Sequence, residues 1–233
     1  MAPLLLLVRH GQTAGNSERR LQPESEPLSE VGTWQALQLG KALAQAEARQ
    51  EIRIVAAVVS DLQRTAQTAE AILECIGKDA RKVVSEPLLR ERNFGDLRGL
   101  SFAEVGGAPK IFAEDFHPPG GESWQQFRVR IDEAWSQVIE VAQGPELQGS
   151  GTGPEPALLV VTHGLALRTL LQRHLGMPSG GPSMANTGVT RVRLMPAASK
   201  EEVPCGLVER LNDTSHLLSS APLPDPVWPS AKL

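Results

Sequence analysis

The sequence contains no tyrosine, and aromatic residues make up only 4% of its 233 positions. A row of stacking platforms for single-stranded nucleic acid is therefore disfavoured. Excess basic charge is also missing, since 23 Lys and Arg stand against 27 Asp and Glu for a formal net charge of -4. That balance argues against a general nucleic-acid or anionic-membrane surface and leaves room for a local cationic pocket. Cysteine is scarce. Cys75 and Cys205 lie far apart and outside any C-x-x-C pair, so neither a disulfide framework nor a zinc cluster is indicated. Both read as buried thiols of a reducing compartment. No apolar run is long enough to cross a membrane. The block Leu4–Val8 has no basic flank and is too short for a signal-peptide core.

What remains is an ordinary globular composition, 41% apolar and 21% charged, long enough to bury one large core. Leu4–Val8 reads as a strand covered on both faces. Ser29 is a good N-cap for a helix to about Arg49, with Val31, Trp34, Leu37, Leu39 and Leu43 as its apolar positions. Ile52–Val59 is a β-branched strand, followed by Ser60 and Asp61 as caps for a helix to about Gly77. Lys82–Ser85 is a short third strand. Residues 86–122 read as irregular, and a helix through Trp124, Phe127, Ile131, Trp135 and Val138 follows Ser123. Residues 143–156 read as a flexible surface loop. Ala157–Val161 is a strand leading into a helix to about Leu175. Thr190–Leu194 and Gly206–Leu211 are late strands, one of them antiparallel at an edge. Trp34, Trp124 and Trp135 read as core. The alternation predicts a three-layer α/β/α fold with a mostly parallel central sheet.

In such sheets ligands bind at the carboxyl ends of the strands. Arg9 and His10 leave the first strand there, Arg64 lies in the first turn after the second, and His163 leaves the Ala157–Val161 strand. Two arginines and two histidines on one rim suit a dense anion, and phosphate is the natural candidate. Gly11 would let the backbone approach it. A neutral imidazole is a nucleophile that arginine cannot be. The leaving alkoxide needs a proton, and Glu91, in the polar insertion, is the best-placed carboxyl group. Taken singly, each of these residues has a structural reading: Arg9 in an ion pair, His10 as a satisfied core histidine, Glu91 as a solvated charge. The set on one rim is what favours chemistry.

Leu7-Val-Arg-His-Gly-Gln-Thr13 with Asn16 resembles the signature of the histidine phosphatase superfamily, in its phosphoglycerate mutase-like branch. Pro27-Leu-Ser-Glu-Val-Gly32, Ser60–Ala69, Arg90-Glu91, Phe94-Gly95, Gly120–Ser123, Thr162–Gly164 and Asn186–Gly188 continue the family's order. Glu91-Arg-Asn-Phe-Gly-Asp-Leu-Arg-Gly99 and the short insertion differ from the mutases and look more like TIGAR-like fructose-2,6-bisphosphatases. Arg98 departs from that branch, which has glutamate there, and adds positive charge near the pocket mouth. The resemblance implies a phosphoglycerate mutase-like fold over residues 1–217. It implies a metal-independent phosphatase acting on a small phosphorylated metabolite of the fructose-2,6-bisphosphate or 2,3-bisphosphoglycerate type. His10 would carry the phosphoryl group, with Arg9, Arg64 and His163 around it and Glu91 as proton donor. Asn16, Gln22 and Gly164 would add phosphate contacts. It implies no metal, no cofactor, and no nucleic-acid or membrane partner. A phosphoglycerate mutase and a non-catalytic phospholigand-binding protein are the alternatives.

Residues 218–233 form a Pro-rich tail ending in Ala231-Lys232-Leu233, which resembles the S-K-L type of peroxisomal address. The expected location is the cytoplasm, or a peroxisome or related organelle if an import receptor reads that tripeptide.

Overall fold

The computed structural model describes residues 2–77, 81–149, 153–195 and 206–218. Leu4–Val8 is apolar throughout because its strand is covered on both sides. In β1 (Leu4–Arg9), Leu5 and Leu7 point into one core and Leu4, Leu6 and Val8 into another, as a two-residue side-chain period requires. β2 (Ile52–Val59), β3 (Lys82–Ser85) and β4 (Glu155–Thr162) join it in a six-stranded sheet of order β3-β2-β4-β1-β5-β6. The first four are parallel. β5 (Val189–Leu194) is antiparallel to β1, and β6 (Gly206–Asp213) is antiparallel to β5. Each late strand is antiparallel to its neighbour, so β5 alone runs against the sheet and the edge strand β6 returns to the direction of β1.

Helices cover both faces. On one face α2 (Glu30–Ala48) and α3 (Gln63–Ile76) bury Leu39, Leu43, Ala69 and Ile72 against Leu4, Leu6 and Val8. On the other, α5 (Trp124–Ala142) and α6 (Gly164–His174) bury Phe127, Ile131, Trp135, Leu167 and Leu171 against Leu5 and Leu7. Two short helices, α1 (Ala14–Ser17) and α4 (Ala108–Ile111), lie in the loops. The expected cap of α2 is present, and Ser123 caps α5: Ser29 Oγ accepts from Gly32 N and Ser123 Oγ from Gln126 N, each at 3.1 Å.

Several details differ from the sequence reading. Ser60 and Asp61 do not cap α3, whose N-cap is Leu62 without a side-chain bond. Their side chains are committed to His163 and Arg90 instead. Trp34 is only half-buried because α2 meets the core through Ala36, Leu39, Gly40 and Leu43. His174, in the last turn of α6, stacks on Trp135 with ring centroids 5.5 Å apart. Cys75 is half-buried, and Cys205 lies outside the described residues.

The insertion is better organised than its composition suggested. Phe94, Val105 and Ile111 form a small core with Leu21. The Arg92 guanidinium lies 4.3 Å from the centroid of the Trp124 ring and donates to the carbonyls of Phe116 and Glu122. Within the loop after α5, Leu147 is buried. Ala231, Lys232 and Leu233 lie outside the described residues. Among those residues no helix is long and apolar enough to cross a membrane.

Candidate active site

Strand register builds the site. Arg9 pairs with Thr162 across β1 and β4, and Val59 pairs with Val161 across β2 and β4. The residues that follow, His10, His163 and Ser60, must therefore emerge side by side at the carboxyl edge. His10 N donates to Thr162 O at 2.9 Å and Ser60 N to Val161 O at 3.0 Å. The rings of His10 and His163 meet edge to face, with centroids 5.2 Å apart. Both histidines are buried, as are Arg64 and Ser60.

The hydrogen bonds fix the tautomers. His10 Nδ1 lies 2.7 Å from Gly11 O, an acceptor, so Nδ1 carries the proton and Nε2 keeps its lone pair. His163 Nδ1 accepts from Arg64 Nε at 3.3 Å, so its Nε2 holds the proton and donates to Ser60 Oγ at 2.8 Å. Burial pushes the His10 pKa well below the usual histidine range, and Arg9 and Arg64 push it further. His163 is lowered well below that range too, by burial first and then by Arg64, His10 and Arg9. Both rings are neutral at pH 7. Burial lowers the Arg64 pKa to about 10 against the opposing pull of Glu91, and lowers Arg9 as well. Both guanidiniums remain charged at neutral pH.

Arg9 donates from Nη1 to Met184 O at 2.6 Å, while its Nε is buried without a protein partner. Arg9 presses on Gly164, where an added Cβ would lie 3.1 Å from Arg9 Nε. Arg64 Nη1 is held by Pro23 O at 3.0 Å. Glu91 reaches the amino end of α6, where Oε2 accepts from Leu165 N at 3.0 Å and Oε1 from Ala166 N at 3.1 Å. Oε1 also accepts from Arg92 N at 3.0 Å. One carboxylate thus sits at a helix N-terminus beside the buried Arg64 and the half-buried Arg9, where the fixed N–H dipoles orient it. Oε2 retains a lone pair that can carry a proton.

Asn16 and Gln22 stand one step further out. Asn16 Oδ1 takes Thr13 N at 3.2 Å and Asn186 Nδ2 at 3.0 Å, which leaves its amide N–H donors for a ligand. Gln22 packs beside Gly15 and Glu26 with Oε1 buried and unpartnered, so only its N–H end can serve an anion. Packing also requires a glycine at position 11. A Cβ there would lie 2.5 Å from Gly32 O, so it is small because α2 packs on it.

Three supporting residues escaped the sequence reading. Ser60 was read as a cap, although its place in the Ser60–Ala69 segment marked it. Thr68 Oγ1 accepts from Gly11 N at 3.0 Å and donates to Arg64 O at 2.7 Å. Arg130 forks onto Glu122, with both N–O distances 2.7 Å, and donates to the carbonyls of Leu88, Arg90 and Glu91. It clamps the segment that presents Glu91. Asn186, part of the Asn186–Gly188 segment, donates to His10 O at 2.9 Å and so braces the site. Among the described residues no group of three or more His, Cys, Asp and Glu side chains is arranged to hold a metal ion.

A sheet edge with two neutral histidines, two arginines and an oriented carboxylate is the arrangement of an enzyme that handles phosphoryl groups. Residues 5–202 match the model of the histidine phosphatase superfamily (branch 1), and the chain belongs to that family. It is 32% identical over 222 residues to the probable phosphoglycerate mutase GpmB of Salmonella choleraesuis (strain SC-B67), covering 91% of this chain and 93% of that protein. The native structure of a mycobacterial glucosyl-3-phosphoglycerate phosphatase superposes with a TM-score of 0.74 at 27% identity, over 91% of this chain and 99% of the other. The phosphoglycerate mutase of Bacillus anthracis str. Sterne gives a TM-score of 0.70 at 25% identity, over 93% and 96%. The fold is thus phosphoglycerate mutase-like, with a mostly parallel sheet.

Proposed function

We propose that the protein is a phosphatase that hydrolyses a small phosphorylated metabolite, of the fructose-2,6-bisphosphate or 2,3-bisphosphoglycerate type, through a phosphohistidine on His10. The observation that carries this reading is the His10 tautomer. Its Nδ1 proton is tied to Gly11 O, so the nucleophilic lone pair is on Nε2, in a pocket flanked by Arg9 and Arg64. Nε2 attacks phosphorus, and the bond from phosphorus to the ester oxygen breaks. Glu91 gives its proton to the departing alkoxide. Water then attacks the phosphohistidine, Glu91 takes the water's proton, and inorganic phosphate leaves with His10 restored. Arg9, Arg64 and His163 stabilise the charge on the equatorial oxygens, with Asn16, Gln22 and the Gly164 backbone as further phosphate contacts. The scheme supplies the cationic work from arginine and calls on no metal.

The name of the Salmonella relative favours a second reading, mutase activity, which would appear as 3- to 2-phosphoglycerate interconversion stimulated by 2,3-bisphosphoglycerate. A non-catalytic protein with this pocket would bind phosphorylated ligands without turnover. The test is phosphate release from fructose-2,6-bisphosphate, 2,3-bisphosphoglycerate, the monophosphoglycerates and an aryl phosphate, with chelator present, by wild type and His10→Ala. Release by wild type alone is expected. Equal release by both proteins would remove His10 from the chemistry, and interconversion without release would favour the mutase.

A further inference from the structure

Glu24 stands between Arg90 and Arg98, one residue after a carbonyl that holds Arg64. The carbonyl of its neighbour Pro23 accepts from Arg64 Nη1 at 3.0 Å, so the loop carrying Glu24 forms the wall beside that guanidinium. Glu24 Oε1 lies 2.7 Å from Arg98 Nη2, and Oε2 lies 3.8 Å from Arg90 Nη1. Arg90 already has a fully matched partner, since it forks onto Asp61 with both distances 2.6 Å. Arg98 does not. Its other bond goes to a neutral group, Asn93 Oδ1, at 2.8 Å. Asn93 is two residues beyond Glu91, and Glu122 Oε2 pins its N–H at 2.8 Å. Arg98 is therefore oriented by the same segment that presents Glu91, and its charge helps to lower the Arg64 pKa.

The Arg98–Glu24 pair is open to solvent, with side chains 31% and 45% exposed. An ion pair this exposed is weakly held. A second anion on a substrate whose phosphate is already anchored arrives at an effective concentration on the order of millimolar. Displacing Glu24 by such an anion therefore costs little. We propose that Arg98 is the subsite for a second anionic group of the substrate, with Glu24 as the resident counter-ion that this group displaces. The substrate class is then a phosphate monoester that also carries a carboxylate or a second phosphate close to the scissile group. The inference rests on the phosphatase reading above.

The test compares kcat/KM of wild type, Arg98→Gln, Arg98→Lys and Glu24→Gln on three esters. 4-Nitrophenyl phosphate has no second anion, 3-phosphoglycerate adds a carboxylate, and fructose-2,6-bisphosphate adds a phosphate. Arg98→Gln is expected to lose at least about tenfold more on one of the doubly anionic esters than on the aryl ester, mainly through KM, a difference of about 1.4 kcal/mol. The ester that responds names the group. Arg98→Lys should recover part of the loss, and Glu24→Gln should lower KM for the same ester. A uniform loss across the three esters, or a wild type that turns over the aryl ester alone, overturns the subsite and leaves the phosphatase reading standing. A wild type inactive on all three overturns that reading and the subsite with it.

Discussion

At His10 the proton on Nδ1 decides what the residue can do, and one backbone carbonyl places it. The residue types were legible in the sequence, because Arg-His-Gly after an apolar strand, with Arg64 and His163 at two other strand ends, marks one rim. Partnerships were not legible. Whether Ser60 caps a helix or holds His163 depends on a contact across 103 residues, and local sequence has no record of it. Arg130 shows the same limit, as its bonds to the carbonyls of Leu88, Arg90 and Glu91 join α5 to the start of the insertion. If Arg130 positions Glu91, Arg130→Gln should impair proton donation most. Its kcat/KM should fall at least about tenfold further for an alkyl phosphate than for an aryl phosphate with an acidic phenol leaving group, which needs little protonation. A loss independent of the leaving group would make Arg130 merely structural.

Among the elements, β1, β2, α2, α5 and α6 were readable from apolar runs and caps because each is periodic and its ends carry local signals. The antiparallel direction of β5 was harder to read, since strand direction is set by connection rather than by composition. The organisation of the insertion was hidden as well, because its small core draws Leu21 from outside it. Contact between α2 and the loop after β1 gives an element-scale test. A Cβ on Gly32 would lie 2.0 Å from Gln12 O, and backbone cannot yield as a flexible side chain can. Gly32→Ala should cost about 1–3 kcal/mol in denaturant unfolding and weaken inhibition by inorganic phosphate through displacement of Gly11 and Gln12. Unchanged stability with unchanged inhibition would show that the close approach is unimportant.

For the whole molecule, acid is the relevant stress. Burial holds His10, His163 and His174 below the usual histidine range and pushes His216 down to about 4. In the unfolded chain each returns to about 6.5, so below that pH the unfolded state binds more protons. The stability these groups contribute is fully present above about pH 6.5 and is lost as pH falls through their folded values. Tm should therefore drop between pH 7 and 5, before most carboxylates titrate. His216→Gln, which can keep the bond to Thr187 Oγ1, should show a shallower drop, and an identical slope would contradict the assignment. The central claim remains the covalent one, that His10 carries the phosphoryl group. The most direct measurement is intact-mass spectrometry of the enzyme quenched in alkali during turnover of an aryl phosphate, with peptide mapping of any adduct. One phosphoryl group on His10, absent from His10→Ala, is the expected result. Continued turnover with His10 unmodified, or a phosphoryl group mapped to another residue, would contradict the account.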